Sequence, residues 1–493
     1  MTNCSRRYEN NAAVAGKVIF RTMNDNTDRT FLLVATVVLV LMLMHLLPDM
    51  SVGSVELRPV DMLADLAGTA SQPSAAGEDT DGRHAGGGTA DSDSSTVGTW
   101  MALENWPDSV SPIADYSEGA AGGMTHYYAA AEGLLRHEKT GRPLRIAYYG
   151  DSFVEGDIMV ADLRELLQAR YGGCGVGWLD AGNEINRFRM SANVQATALR
   201  EHMVMKRESY QAELAGIAER YYDSAAGSSV TVVGTSAYAR AARWDVARMY
   251  LRAPHGATVS VAVGERQPDV AEVSASGQVQ QIESRGVADR IAYKVVAGQP
   301  TLYGIALEGN SGIVVDNFSV RGSSGIGLSR LSPQMMADFN RLRPYDLVIL
   351  QYGVNAVTPQ STAESMEWYM KNMRKVIAHI RKNFPDASIL VVSTPDRGWR
   401  KAGQLCTMPG IKDLVRQQQQ LAKECGVGFY NFFEAMGGEG SMVRMTEQGM
   451  GSKDFIHINR NGGRRLAGIV YNSLVTGQRL YTEQHGKANR KEE

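Results

Sequence analysis

Five residues in this sequence have the types and spacing of a serine-based acyl-transfer site. Ser152 lies in the run "IAYYGDSFVEGD", where an apolar strand breaks at a glycine and presents the serine before a helix. A serine hydroxyl is a poor nucleophile at neutral pH, so it needs a base, an orienting acid and oxyanion donors. The run "DFIHIN" supplies Asp454 and His457, which lie three residues apart on one turn-like segment. Ser152 would then attack an ester carbonyl, His457 would take its proton, and Asp454 would orient and stabilise the imidazolium.

Two further blocks supply candidates for the oxyanion donors. "NFSVRGSSG" contains Gly322 and "QYGVNAV" contains Asn355. Taken in order, Gly-Asp-Ser, a glycine after a strand, Gly-x-Asn and Asp-x-x-His resemble the four sequence blocks of the SGNH (GDSL) esterase and acyltransferase superfamily. The resemblance implies that the backbone amides of Ser152 and Gly322 and the side-chain amide of Asn355 bind the oxyanion. Gly325 is an alternative to Gly322, and Gly353 is expected to let its strand turn so that Asn355 points into the site.

Strands that alternate with helices must position these residues. Continuous apolar strands between helical patterns indicate a parallel sheet covered on both faces, which predicts a three-layer α/β architecture. The strands are expected at 144–149, 346–353, 388–395 and 427–433, and the helices at 158–172, 361–382, 409–424 and 461–474.

Residues 191–308 have a different pattern. Short runs rich in valine, tyrosine and threonine recur there about every 10 to 16 residues, a spacing typical of an antiparallel sandwich. We therefore predict an inserted β-sandwich, jelly-roll-like, that divides the hydrolase into 106–190 and 309–480. An SGNH hydrolase interrupted in this way resembles the bacterial peptidoglycan O-acetylesterases, whose insert is similar to a carbohydrate-binding module.

Four aromatic residues of the insert have two possible roles. They either stack on sugar faces or fill the core of a small sandwich, and the sequence leaves both open. These residues are Tyr238, Trp244, Tyr250 and Tyr293.

The first hundred residues predict a membrane anchor and a tether. Residues 31–47 form about 17 nearly uninterrupted apolar residues, at the short limit for spanning a roughly 30 Å hydrocarbon core. Basic residues are concentrated before this run, so we expect 1–30 in the cytoplasm and the bulk of the chain outside it. A cleaved signal peptide is the alternative, although no good small-x-small site follows. Residues 48–105, poor in large apolar side chains after residue 67, are expected to be a flexible linker, and 481–493 a solvated tail.

The composition excludes several classes of function. A length of 493 residues favours two or more domains, and a net charge of -2 gives no global basic footprint for nucleic acid. Four cysteines do not make a disulfide scaffold, and no pair can be assigned. No histidine or cysteine cluster has metal-ligand spacing and no P-loop is present, so neither a metal nor a cofactor is expected.

Some conspicuous residues are interpreted as structural. We expect Trp368, Tyr369, Met370, Met373, Ile377 and Ile380 to face the core, since they recur at helical spacing. His379 beside them is expected to be solvated. The glycine-containing segment 437–451 is expected to form a mobile loop leading to Asp454.

These observations and the resemblance favour a serine O-acetylesterase anchored in the bacterial inner membrane, with its catalytic part in the periplasm. Its expected partner is an acetylated glycan, peptidoglycan or another envelope polysaccharide, and not nucleic acid. An O-acetyltransferase with the same triad is the first alternative, because only acceptor placement and water exclusion separate the two reactions. A non-catalytic glycan-binding protein is the second.

Overall fold

The structure, a computed structural model, describes Thr36 and residues 50–52, 55–57, 106–120 and 122–492. Residues 1–92 and 93–493 form two separate units. In the first unit, β1 (Met50–Val52) and β2 (Val55–Leu57) pair antiparallel within the segment assigned to the linker. Apart from Thr36, the predicted anchor at 31–47 lies outside the described residues. No helix among those described has the length and apolar composition needed to cross a membrane.

The second unit contains nineteen of the described strands and eight α-helices. The strands are β3 (Ile113–Asp115), β4 (Leu144–Gly150), β5 (Gly177–Asp180), β6 (Ala192–Thr197), β7 (Arg200–Met203), β8 (Arg220–Asp223), β9 (Ser229–Gly234), β10 (Trp244–Ala253), β11 (Ala257–Val263), β12 (Asp269–Val273), β13 (Ser276–Ala288), β14 (Arg290–Gly298), β15 (Thr301–Glu308), β16 (Ile313–Ser319), β17 (Leu347–Gln351), β18 (Ser388–Val392), β19 (Gly398–Lys401), β20 (Gln404–Thr407) and β21 (Gly428–Tyr430). The helices are α1 (Thr125–Leu135), α2 (Val160–Tyr171), α3 (Pro333–Leu342), α4 (Ala363–Asn383), α5 (Ile411–Cys425), α6 (Phe432–Ala435), α7 (Ser441–Glu447) and α8 (Arg460–Glu492).

A six-stranded sheet at the centre carries the candidate site. Its order is β16-β4-β17-β18-β21-β3, and all neighbours are parallel except β3, which runs antiparallel to β21. Alternate residues of β4 enter different cores: Tyr148 packs with α1, α2 and α8, whereas Tyr149 packs with α3, α4 and α5. Both sheet faces are therefore covered by helices, which explains why these strands are apolar throughout.

The insert consists of two antiparallel sheets. One has the order β13-β10-β15-β8-β7, with β5 also pairing to β15, and the other has the order β12-β11-β14-β9-β6. Apolar side chains between the two sheets form a core of their own, which includes Trp244 and Tyr293. Strand β5 lies before residue 191, so the first sheet takes a strand from the part of the chain assigned to the hydrolase. The predicted mixture of a parallel sheet with additional antiparallel sheets is thus confirmed.

The insert shares a second core with the α/β domain. Tyr250 of β10 and Tyr303 of β15 each pack against Phe339 of α3, with ring centroids 5.7 Å apart. Beside them Glu308 accepts hydrogen bonds from Arg145 Nε and Arg343 Nη1, each at 2.9 Å. Burial alone would raise the pKa of Glu308, but the surrounding arginines outweigh it and hold that pKa well below its ordinary value. The insert is consequently fixed to the hydrolase by buried contacts.

Candidate active site

Ser152 is presented by a tight turn at the end of β4. A methyl group placed on Gly150 would lie 2.4 Å from a side-chain carbon of Val154, so the turn closes only around a residue without Cβ. Buried Asp151 accepts a hydrogen bond from the Phe153 amide at 2.9 Å and braces the same turn. Burial raises the pKa of the Asp151 carboxyl group to about 7, although hydrogen bonds from backbone amides, including that of Phe153, oppose the shift. A 3₁₀ turn at Glu155–Asp157 separates the serine from α2.

The structure brings Ser152, His457 and Asp454 into one hydrogen-bonded chain. Ser152 Oγ lies 2.9 Å from His457 Nε2, and His457 Nδ1 lies 2.7 Å from Asp454 Oδ2. The other carboxylate oxygen, Oδ1, accepts from the backbone amides of Ile456 at 2.9 Å and His457 at 3.0 Å. Phe455 adopts the left-handed φ of 57° that this turn requires. Both ring nitrogens of His457 thus have partners on opposite sides.

The charge state of Asp454 suits an orienting acid. Partial burial alone would raise the pKa of Asp454, but hydrogen bonds from the His457 side chain and from the two backbone amides outweigh it. Its pKa lies below the ordinary value, so Asp454 is ionised at neutral pH. The negative charge of Asp454 beside His457 Nδ1 keeps the ring proton on that nitrogen. His457 Nε2 is then free to accept a proton from Ser152.

The loops that carry Gly322 and Asn355 contact each other at the ends of β16 and β17, the two strands that flank β4. Gly322 follows β16 with a φ of 78°, and Asn355 follows β17. The Asn355 side-chain amide donates to the carbonyl of Ser323 at 3.1 Å, which ties the two loops together and orients Asn355.

Gly322 and Gly325 differ in the use of their amides. The Gly325 amide already donates to Ser323 Oγ at 3.0 Å, whereas within the described part of the chain no acceptor takes the Gly322 amide. A methyl group on Gly325 would lie 2.6 Å from the Tyr352 ring, so that glycine is required by packing. Of these two glycines, Gly322 is therefore the one whose amide remains available to a ligand.

A cleft of about 310 Å³ lies over Ser152 and His457. Part of its wall comes from the connection between β5 and β6, through Phe188 and Met190, and from Tyr238 in the connection between β9 and β10. Two arginines, Arg321 and Arg460, also line it. A larger cleft, about 570 Å³ between α4 and α5, contains none of the five candidate residues.

Two exposed apolar side chains line the catalytic cleft, and a third lies near Gly322. Phe188 and Met190 are 58% and 46% exposed, and Met205, after β7, is 47% exposed with its methyl group near Gly322. We call Phe188, Met190 and Met205 the apolar rim. Apolar side chains of this size are normally buried, so their concentration beside one cleft indicates a binding surface.

Several residues in the cleft or near Asp454 were not anticipated from the sequence. Arg321 precedes Gly322 and Arg460 lies three residues after His457, so proximity to the motifs was an available signal for both. Arg397 had no such signal: its Nη1 donates to the Val354 carbonyl at 2.9 Å, and it lies close enough to Asp454 to interact electrostatically. Phe188 and Met190 lie in an irregular segment that no pattern marks.

The structure decides between the two roles left open for the aromatic residues of the insert, and it corrects the expectation that Trp368 faces the core. Trp244, Tyr250 and Tyr293 are at most 1% exposed, so they fill cores and are not available to sugars, while Tyr238 is largely buried but lines the cleft. Trp368 is 58% exposed and is not a core residue.

His379, expected to be solvated, is half-buried, and this burial lowers its pKa. Segment 437–451, expected to be a loop, contains helix α7, and the last helix extends well beyond residue 474. Cys174, Cys406 and Cys425 are unpaired.

Part of the chain matches a known family of acylhydrolases. Residues 286–465 match the GDSL-like Lipase/Acylhydrolase family, a segment that contains Gly322, Asn355, Asp454 and His457 but begins after Ser152. No curated protein matches the sequence.

Three solved structures illustrate the range of likeness. A peptidoglycan O-acetylesterase is 20% identical over 74% of this chain and 99% of its own, with a TM-score of 0.62, which shows a shared fold. A family two carbohydrate esterase from Cellvibrio japonicus is 10% identical over 59% of this chain and 99% of its own, with a TM-score of 0.24. A salicylyl-acyltransferase from a tetracycline biosynthetic pathway is 12% identical over 58% of this chain and 96% of its own, with a TM-score of 0.26. The last two are too dissimilar to carry a conclusion, but the family match and the first structure confirm the predicted resemblance.

Proposed function

We propose that this chain, an SGNH-type serine esterase resembling peptidoglycan O-acetylesterases, removes O-acetyl groups from an extracytoplasmic glycan, with peptidoglycan as its substrate. The observation that carries the proposal is the continuous chain of hydrogen bonds from Ser152 through His457 to Asp454, at 2.9 and 2.7 Å. These distances are those of a nucleophile, its base and an orienting acid.

In the proposed first half-reaction, Ser152 Oγ forms a bond to the acetyl carbonyl carbon while His457 Nε2 takes the hydroxyl proton. The tetrahedral intermediate carries its negative charge on the former carbonyl oxygen, which the amides of Ser152, Gly322 and Asn355 stabilise. The intermediate collapses as His457 returns the proton to the departing sugar oxygen. Ser152 is left acetylated.

In the second half-reaction, His457 takes a proton from water and the resulting hydroxide attacks the acetyl-enzyme. Acetate leaves and Ser152 recovers its proton from His457. The ionised Asp454 stabilises the imidazolium in both halves without itself taking a proton.

Two features support a glycan as the substrate. The fold resembles that of a peptidoglycan O-acetylesterase over 74% of this chain and nearly the whole length of that enzyme. The cleft also combines an exposed aromatic ring with charged side chains, which suits the C–H faces and polar edges of a sugar.

The test is to incubate the full chain in detergent with acetylated peptidoglycan fragments and an acetyl donor, and to weigh the products by mass spectrometry. Loss of acetyl groups that requires Ser152 supports the proposal. A gain of acetyl groups indicates the transferase instead. Binding with neither reaction, together with an unlabelled Ser152 after treatment with an acylating serine probe, indicates a non-catalytic glycan-binding protein.

We propose in addition that residues 31–47 anchor the enzyme in the bacterial inner membrane, with the catalytic unit in the periplasm. The sequence supports this through its apolar run and the basic residues before it. Cell fractionation with protease treatment of spheroplasts tests it, since the catalytic unit should be digested while it sediments with membranes. A soluble protein shortened at its N-terminus would favour the signal-peptide alternative.

A further inference from the structure

The charged side chains that line the cleft are unequally paired. Arg321 forms a salt bridge with Glu155. Asp157 is fully buried and bound by Arg164 at 2.8 Å. Arg460 is exposed and, among the residues that the structure describes, forms no salt bridge. One positive charge in the cleft is therefore uncompensated.

Arg460 lies on a fixed aromatic surface. Its guanidinium lies 6.0 Å from the centroid of the Tyr238 ring. The Tyr238 hydroxyl donates to Asp162 Oδ2 at 3.0 Å, and Asp162 Oδ1 accepts from Arg464 at 3.4 Å. A guanidinium beside an immobile ring is restricted in orientation, while its N–H groups remain available to a ligand.

The helix that begins at Arg460 does not itself supply an anion site. The amides of Asn461 and Gly462 in its first turn already donate to Asn459 Oδ1, at 3.0 and 3.2 Å. Since these amides are used by the cap, the cation available to a ligand is the Arg460 guanidinium.

Phe188 supplies an apolar surface in the same cleft. A methyl group on Gly156 would lie 3.1 Å from Phe188 Cβ, so the Phe188 backbone packs closely on the turn that follows Ser152. The Arg187 guanidinium lies 5.0 Å from the Phe188 ring centroid and places a second cation at this edge. An exposed ring can contact the C–H face of a sugar while an arginine binds its substituents.

We propose that Arg460, together with the Phe188 ring, forms a subsite for a sugar that carries a carboxylate, so that the enzyme prefers acetyl esters on acidic sugars. A guanidinium binds a carboxylate through two parallel charge-assisted hydrogen bonds, which a neutral sugar cannot accept with the same strength. The inference rests on the proposed function and specifies its substrate. The carboxylate belongs either to the lactyl group of a peptidoglycan amino sugar from which the stem peptide has been removed, since the peptide otherwise occupies that carboxyl group as an amide, or to a uronic acid.

The experiment measures selectivity as a ratio. It compares kcat/KM for peptide-free O-acetylated N-acetylmuramic acid fragments and O-acetylated uronic acid oligosaccharides with kcat/KM for O-acetylated, fully N-acetylated chito-oligosaccharides, which are neutral. Arg460→Gln should lower the acidic-to-neutral ratio by about 10- to 100-fold, mostly through KM, as expected for loss of a hydrogen bond between charged groups. Arg460→Lys keeps the positive charge but cannot form the two parallel hydrogen bonds of a guanidinium, so it should restore part of the preference for acidic sugars. Arg479→Gln, on the same helix and distant in sequence, serves as the matched control and should not change it.

Binding to a Ser152→Ala background keeps this test independent of hydrolysis. Calorimetry with the free muramic acid fragment, the uronic acid oligosaccharide and the chito-oligosaccharide should show tighter binding of one or both acids, weakened by Arg460→Gln and by added salt. The acidic sugar whose binding is weakened by Arg460→Gln identifies the source of the carboxylate. Equal binding of acidic and neutral sugars, or an acid preference unchanged by Arg460→Gln in a folded variant, overturns the proposal. A parent enzyme that binds acids selectively but cleaves no ester would contradict only the proposed function.

Discussion

The two walls of the catalytic cleft are built differently. On the α/β side, Ser152, His457 and Asp454 are held by hydrogen bonds of 2.7 to 3.0 Å, and Asn355 is held by a bond of 3.1 Å. On the insert side, the apolar rim is about half exposed. The contrast indicates that bond breaking depends on fixed polar geometry, whereas selection of the substrate is left to exposed apolar surface and to Arg460.

This division does not make the insert an independent module. Tyr250 and Tyr303 share a core with Phe339 of the α/β domain, and Glu308 is bound by arginines from both parts. The rim is consequently carried by a scaffold that is rigidly joined to the catalytic sheet. We expect substitutions on the two walls to separate in their kinetic effects, and the following predictions test that separation.

The largest effect is expected on the polar wall at the nucleophile. Ser152→Ala should reduce kcat by about 10⁴-fold or more on both 4-nitrophenyl acetate and acetylated glycan, because the attacking oxygen is removed. His457→Ala should be nearly as damaging, and the double variant should be no worse than either, since the residues act as one unit. Circular dichroism serves as the folding control. Comparable turnover by parent and Ser152→Ala, after background subtraction, would refute the triad.

The oxyanion donor on the same wall should have the next largest effect. Asn355→Ala should lower kcat by about 100-fold through loss of a preorganised donor, with a smaller change in KM. Single-turnover acetylation of Ser152 measures the chemical step directly. An unchanged acetylation rate in a folded variant would exclude this role for Asn355.

A smaller and more selective effect is expected on the rim. Phe188→Ala should weaken binding to insoluble acetylated glycan by roughly 5- to 10-fold, in line with the loss of an aromatic contact. Cleavage of 4-nitrophenyl acetate should fall by less, so the ratio of the two activities is the readout. Val270→Ala, an exposed apolar residue elsewhere on the insert, is the control. An equal fall in both activities would mean that the rim shapes the catalytic pocket, and the proposed division would be wrong.

The smallest effect on activity is expected at the junction between the insert and the hydrolase, where the measured quantity is stability. Glu219 is fully buried, its carboxylate lacks a hydrogen-bond partner among the described residues, and burial raises its pKa to about 8. Between pH 4.5 and about 8 the folded state keeps a proton that the unfolded state has lost, so stability falls as pH rises across this window. Glu219→Gln removes the titration, and its stability relative to the parent should increase from pH 5 to pH 8 by about 3 kcal/mol, at roughly 1.4 kcal/mol per pH unit over most of the window. Chemical denaturation at the two pH values measures this, and a constant difference would contradict it.

The polar wall could be predicted from the sequence because its residues follow local rules. Ser152 comes at a strand end, and Asp454 and His457 share one turn, so neither depends on long-range packing. The rim could not be predicted, since Phe188 and Met190 belong to an irregular connection whose direction is set by the strands on either side. The exposure of Phe188 and Met190 depends on the folded surface around them, and no periodic pattern in the sequence predicts it.

The burial of the insert aromatics and the exposure of Trp368 also have physical causes. Trp244 and Tyr250 lie on β10, which contacts the second sheet on one face and the α/β domain on the other, so nearly all of that strand is buried. Trp368 was grouped with Tyr369 and Met370, but three consecutive helical residues span about 200° of the helix circumference. One of them must face away from the core, and it is Trp368 that does.

The pairing of β5 with β15 determines where this fold can be cut. A protein engineer who exchanged the insert at residue 191 would leave Gly177–Asp180 behind and expose the β15 backbone groups that it covers, at Gly304 to Leu307. An unpaired strand edge of that kind invites intermolecular pairing and aggregation. Chimaeras should therefore carry β5 with the insert and join the two parents in the turn after α2, where the glycines at 172 and 173 already adopt positive φ.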